Sequence, residues 1–166
     1  MDLSTLRPNV GIVLFNRDGK VWLGRRAGTA GPTNWQFPQG GVDEGEDLLQ
    51  AAQRELAEET GATALRLLGR TRDWIGYEFP TDHSGSKLAK GWRGQKQVWF
   101  AFAFEGDDSQ FVLDSPGCGH PEFDDWRWAD IDEAMDQVVD FKREVYRHVI
   151  EAFRPLVNRF EGAGAA

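Results

Sequence analysis

The chain has 166 residues, 40% hydrophobic and 12% aromatic, with 27 Asp and Glu against 19 Lys and Arg, for a formal charge of -8. That length and apolar content suit one domain with a sizeable core, while the acidic balance argues against a nucleic-acid coating protein and against DNA binding, which demands a basic face. No apolar run approaches the ~18 residues of a membrane span and no basic-apolar leader opens the chain, so a cytoplasmic protein with no membrane association is expected.

In chain order, the Val- and Ile-rich run from Asn9 to Phe15, the turn NRDGK and the run from Val21 to Gly24 predict a hairpin. A glycine-rich piece from Ala27 to Thr33 leads into a short strand from Trp35 to Phe37, ending at Pro38. Gly40 to Glu46 reads as loop, and a helix follows that stops at Gly61 as its C-cap. Leu65 to Phe79 reads as one or two strands interrupted near Gly69 and Gly76, and Pro80 to Gly94 as a polar loop. Gln95 to Phe104 is apolar and aromatic enough for a central strand. Glu122 to Ala129 is another strand, Ile131 to Val139 a short helix or turn, and Phe141 to Phe160 an amphipathic helix with Val145, Val149, Ile150, Phe153 and Val157 inward. The expected domain is 1–160, with 161–166 a flexible tail. Helices flanking a mixed sheet make this an α/β sandwich. Cys118, the single cysteine, cannot form an internal disulfide, and His83, His120 and His148 show no zinc spacing.

The segment GGVDEGEDLLQAAQRELAEETGA, Gly40 to Ala62, carries the chemistry. At about 100° per residue, Glu55, Glu58 and Glu59 share one helix face beside an apolar stripe of Leu49, Ala52 and Leu56. Clustered carboxylates repel one another unless compensated, and hard oxygen ligands of this kind suit Mg²⁺ or Mn²⁺, which also bind substrate phosphates. Arg54 can pair with Glu58 or hold Glu55 in one rotamer. Gly40 and Gly41 would let backbone approach the metals where a Cβ obstructs. As a bare string, RELAEE would more often be a solvated surface helix.

The spacing of Gly40, Glu46, Arg54, Glu55, Leu56, Glu58, Glu59 and Gly61 resembles the Nudix box, the signature of hydrolases that cleave a nucleoside diphosphate linked to another moiety. Ala62 departs from the Ile, Leu or Val usual in the family, a position expected to affect packing alone. The runs RPNVGIVLFN, NWQFPQGG, GQKQVWF, PEFDDWRW and VVDFKREVY resemble the branch that contains bacterial RNA pyrophosphohydrolases and asymmetric dinucleoside polyphosphate hydrolases. The resemblance implies the α/β/α Nudix sandwich. It also implies a metal cage of Glu55, Glu58, Glu59 and Glu122 with Gly40, holding Mg²⁺ or Mn²⁺, and a catalytic group of Glu55, Glu58 and Arg54; one of these or a nearby carboxylate is the general base, a position in which family members differ, and Glu58 is the choice here. By the same resemblance, Arg26 and Phe141 surround the first base, Arg7, Lys96 and Tyr77 lie near phosphates, and Lys142 at the last helix joins the substrate-binding set.

The expected reaction is removal of pyrophosphate from 5′-triphosphorylated RNA. The alternative is asymmetric cleavage of diadenosine tetraphosphate to ATP and AMP, with the Pro80 to Gly94 loop as a second adenosine seat. A non-catalytic nucleotide sensor is the reading from another class, and the intact acidic positions argue against it. The acidic balance permits a protein activator but names none.

Overall fold

Strict alternation along two long strands sets the layers. The computed structural model describes residues 3–28, 34–79, 92–113, 122–138 and 142–164. In it β1 (Leu6–Phe15) and β7 (Gly94–Phe104) run parallel in continuous register, from Leu6 beside Gly94 to Phe15 beside Ala103. Both strands are covered on both faces, which is why they read as nearly unbroken apolar runs. Val10, Ile12, Leu14, Val98, Phe100 and Phe102 pack with Ala51, Ala52 and Leu56 of α1 (Leu48–Thr60). Val13, Phe15, Trp99 and Ala101 pack on the other side with Ala134 of α2 (Glu133–Gln137) and Val145, Tyr146, Val149, Ile150 and Phe153 of α3 (Arg143–Gly164). The result is the expected α/β/α sandwich around a mixed sheet.

Among the described residues the sheet has eight strands. The edge of β7 away from β1 carries β5 (Leu65–Arg70) and β6 (Ile75–Glu78), both antiparallel. On the far side, β2 (Val21–Arg26) pairs with β3 (Trp35–Gln36) and β8 (Phe123–Ala129). The expected hairpin is only its neck: Phe15 faces Val21 across the turn, and β2 then leaves β1 for β8. The vacated edge of β1 is taken by β4 (Gln39–Gly41), with Gly11, Val10 and Asn9 opposite Gln39, Gly40 and Gly41. That strand was read as loop because two glycines carry no alternation to see.

Glu122 lies just before β8 rather than inside it. The final helix continues to Gly164, into the stretch expected as a tail, because propagation adds a hydrogen bond per residue once a helix is nucleated. Ala62 is fully buried in the core under α1, so the smaller side chain still packs. No helix among the described residues is long and apolar enough to cross a membrane. Phe141, Cys118, His83, His120 and most of the Pro80 to Gly94 loop lie outside the described residues.

Candidate active site

The helix that carries the carboxylates is fixed at both ends. Asp47 caps its start by accepting from the Gln50 N–H at 3.1 Å, and Gly61, at φ 85°, closes it with an N–H to Ala57 O at 2.9 Å. Ala51, Ala52 and Leu56 are fully buried, and burial of the leucine alone contributes about 1.5–3 kcal/mol. This anchored stripe sets the rotation of α1, which packs against β4.

Arg54 organises the acidic loop and helix around one guanidinium. Its Nε and Nη2 fork onto Glu46 at 2.8 and 2.9 Å, and Nη2 also donates to the Gly41 carbonyl at 3.0 Å. Nη1 reaches Glu55 at 2.9 Å and Glu58 at 3.3 Å. Both partners expected from the helical spacing are therefore engaged, and Glu46 is the strongest of all. The Arg54 contact, helped by the Asp43 N–H, holds the Glu46 carboxyl down to about 2.

Glu59 has the opposite environment. Its Oε2 is buried with no hydrogen-bond partner, while the backbone N–H of Gln39 favours the ionised form. Desolvation first, then the charges of Glu122 and Glu55, push its carboxyl well above the usual range. Burial also raises Glu55, against the pull of Arg54. A Cβ on Gly40 would lie 2.0 Å from Glu55 Cδ, so only glycine admits the carboxylate against the strand. Gly40 and Gly41 face opposite sides of the sheet, because their partners Val10 and Asn9 do. On that other side a Cβ on Gly41 would lie 2.4 Å from Arg7 Nη2.

Gly40, Glu55, Glu58, Glu59 and Glu122 are thus neighbours, although among the described residues no three acidic, histidine or cysteine side chains converge on one ion-sized point. Arg54 draws Glu55 and Glu58 to itself. The residues nevertheless fit a hard divalent cation: Glu59 presents a buried carboxyl oxygen lacking a partner, beside further carboxylates and a strand stripped of side chains.

The substrate candidates are distributed around this centre. Arg7 lies against Gly41, on the face of the sheet away from Glu55. Lys96 lies over the Trp74 ring at 4.9 Å, on the α1 side of the sheet. Arg26 is exposed at the end of β2, next to Arg25, which pairs with Asp124 at 2.7 Å. Lys142 is buried at the foot of α3 instead of solvated. Tyr77 is a core residue whose hydroxyl donates to Gln95 Oε1 at 2.6 Å, and burial pushes its phenol up, so that it stays protonated.

Sequence reasoning missed the buried amides behind the site. Gln97 Nε2 donates to Asn9 Oδ1 at 2.7 Å and to Gln39 Oε1 at 3.3 Å, and Gln39 Nε2 donates to Gln95 Oε1 at 3.3 Å. Two amides at period two, Gln95 and Gln97, on the face opposite Lys96 at the start of a strand that is apolar from Val98 onward, were the available signal.

A sequence model of the NUDIX domain matches residues 5–149. The chain is 60% identical over 155 residues to an RNA pyrophosphohydrolase of Caulobacter vibrioides (strain NA1000 / CB15N), covering 93% of this chain and 89% of that one. It is 46% identical over 166 residues to an RNA pyrophosphohydrolase of Bartonella bacilliformis, covering 95% and 98%. Among solved structures, the E. coli dihydroneopterin triphosphate pyrophosphohydrolase superposes with a TM-score of 0.64 over 86% of this chain and 95% of that one, at 23% identity. That last similarity concerns the fold alone.

Proposed function

The chain belongs to the Nudix family, and from that premise we propose that it is an RNA pyrophosphohydrolase, removing pyrophosphate from the 5′ end of triphosphorylated RNA. It is an enzyme acting on phosphoric anhydride bonds. The observation that carries the substrate is the 60% identity, over nearly the whole chain, to a relative of that name. The geometry supports the chemistry through the unpartnered Glu59 oxygen between Gln39 and Glu122.

Glu55, Glu58, Glu59 and Glu122, with backbone at Gly40, would hold Mg²⁺ or Mn²⁺. Such ions, when bound, neutralise phosphate oxygens and lower the pKa of an attacking water. Arg54 pairs with Glu55 and Glu58, so both carboxylates would turn from the guanidinium toward a bound cation. Glu58 accepts the proton from water. Its side chain is 54% exposed against 14% for Glu55, which gives it access to solvent. Arg7 and Lys96 meet phosphates, and Arg26, with Phe141, meets the first nucleotide. The overall acidity disfavours extended contact with an RNA body, so recognition centres on the 5′ end.

The test is release of pyrophosphate from a short triphosphorylated RNA in the presence of Mg²⁺ or Mn²⁺, with Glu58→Gln and Glu59→Gln as controls. Activity should fall by roughly 10²–10⁴ in each variant with the fold retained. Wild-type turnover in both would remove the assignment.

A further inference from the structure

Tyr146 on α3 reaches across the core to the strap that carries Gln39 and Gly40. Its hydroxyl, on a side chain only 1% exposed, accepts the Phe37 N–H at 2.9 Å. Its ring lies 4.9 Å from Phe37 and meets Trp99 edge-on at 5.8 Å. Packing alone would be served by phenylalanine, so the hydroxyl's distinct contribution is that one hydrogen bond.

The bond falls in the gap between two strands. β3 ends at Gln36, β4 begins at Gln39, and Pro38 has no N–H to donate. At this crossing the chain leaves β2 and joins β1, and Pro38 O takes the Ile12 N–H at 2.9 Å. Two residues beyond Phe37, the Gln39 N–H supports the Glu59 carboxylate. Lys142, also buried, lies just before this helix, four residues ahead of Tyr146. One side chain therefore joins the foot of the last helix to the strand against which Glu59 rests.

We infer that Tyr146 is a positioning residue for the metal-binding carboxylates, acting on Glu59 through the Phe37–Gln39 backbone. This rests on the metal-dependent reading given above. Burial pushes the Tyr146 phenol up, so the hydroxyl stays neutral across the working range.

The test compares Tyr146→Phe with Ile150→Val, a core change on the same helix away from the strap, at a temperature where circular dichroism shows all proteins folded. Mn²⁺ affinity is read directly by electron paramagnetic resonance, and kcat and KM on triphosphorylated RNA separately. Tyr146→Phe should weaken Mn²⁺ binding and lower kcat by about 10-fold with KM little changed, as for other loss of support behind metal ligands. Ile150→Val should match wild type in both. Unchanged Mn²⁺ affinity and kcat in Tyr146→Phe would overturn the inference, as would an equal loss in Ile150→Val. If wild type released no pyrophosphate from RNA, the substrate reading would fail while the Mn²⁺ titration still decided the role of Tyr146. No Mn²⁺ binding by wild type would overturn both.

Discussion

Replacing Glu59 by Gln should make the metal-free protein more stable while removing its activity. The substitution keeps the volume and an acceptor for the Gln39 N–H but removes a buried charge whose Oε2 has no partner and which faces Glu122 and Glu55. The amide stays polar, so what is relieved is the desolvated charge and its repulsion by Glu122 and Glu55, on the order of the 1–3 kcal/mol desolvation cost of a buried polar group. At roughly 2–4 °C per kcal/mol for a domain of this size, Tm should rise by about 2–12 °C. The pH dependence has a definite sign. Burial raises the Glu59 carboxyl above its ordinary value of 4.5, so its protonated form favours the folded state. Wild type is therefore relatively most stable below 4.5 and loses that advantage as pH rises through the folded-state value. The gap between variant and wild type should open upward through that window and nearly close at about pH 4. Thermal unfolding with a chelator, at about pH 4 and about pH 7.5, measures it. Excess Mg²⁺ should reverse the order, because a ligand at 100 times its Kd stabilises by about 2.7 kcal/mol and Glu59→Gln forfeits much of that binding. A variant no more stable than wild type in chelator, or equally stabilised by Mg²⁺, would refute the reasoning.

The two glycines of β4 should respond differently to alanine. Gly40→Ala places a Cβ 2.0 Å from the Glu55 carboxyl carbon, so kinetics should show kcat down by about 10²-fold and calorimetry a loss of about 1–3 kcal/mol. Gly41→Ala meets only the mobile end of Arg7, and a raised KM with little change in Tm is expected from the same assays. Arg54→Gln should let the Glu46 carboxyl rise from about 2 toward 4.5, followed by carbon-detected NMR titration. Because that carboxyl is depressed in the folded state, its stabilising contribution is present above 4.5 and disappears as pH falls toward 2, so the variant should lose this part of its acid dependence.

The acidic helix was legible because its helical spacing and its C-cap coincide: Leu56 and Gly61 each do locally what their residue type favours, as does Asp47, the N-cap that the reading did not single out. The central strand was legible for the same reason, since β7 is buried on both faces and almost wholly apolar. What escaped reading depends on contacts distant in sequence. β4 is a strand only because β2 turns away and frees an edge of β1, and neither glycine records that event. Tyr77, expected at phosphates, has its hydroxyl turned to Gln95 by a network that forms only once β6 lies on β7. Lys142 opens a helix whose sequence looks solvent-facing there, yet tertiary packing buries it. The Glu46 fork was present in the motif, but its strength depends on the loop folding back so that Arg54 also meets the Gly41 carbonyl.

The central claim is best tested by a competition in one reaction, with a short triphosphorylated RNA and diadenosine tetraphosphate at equal concentration, Mg²⁺ or Mn²⁺ present, and products separated over time. Preferential release of pyrophosphate from the RNA, abolished in Glu59→Gln, is the predicted result. Faster conversion of the dinucleotide to ATP and AMP, or undiminished RNA turnover in the variant, would contradict it.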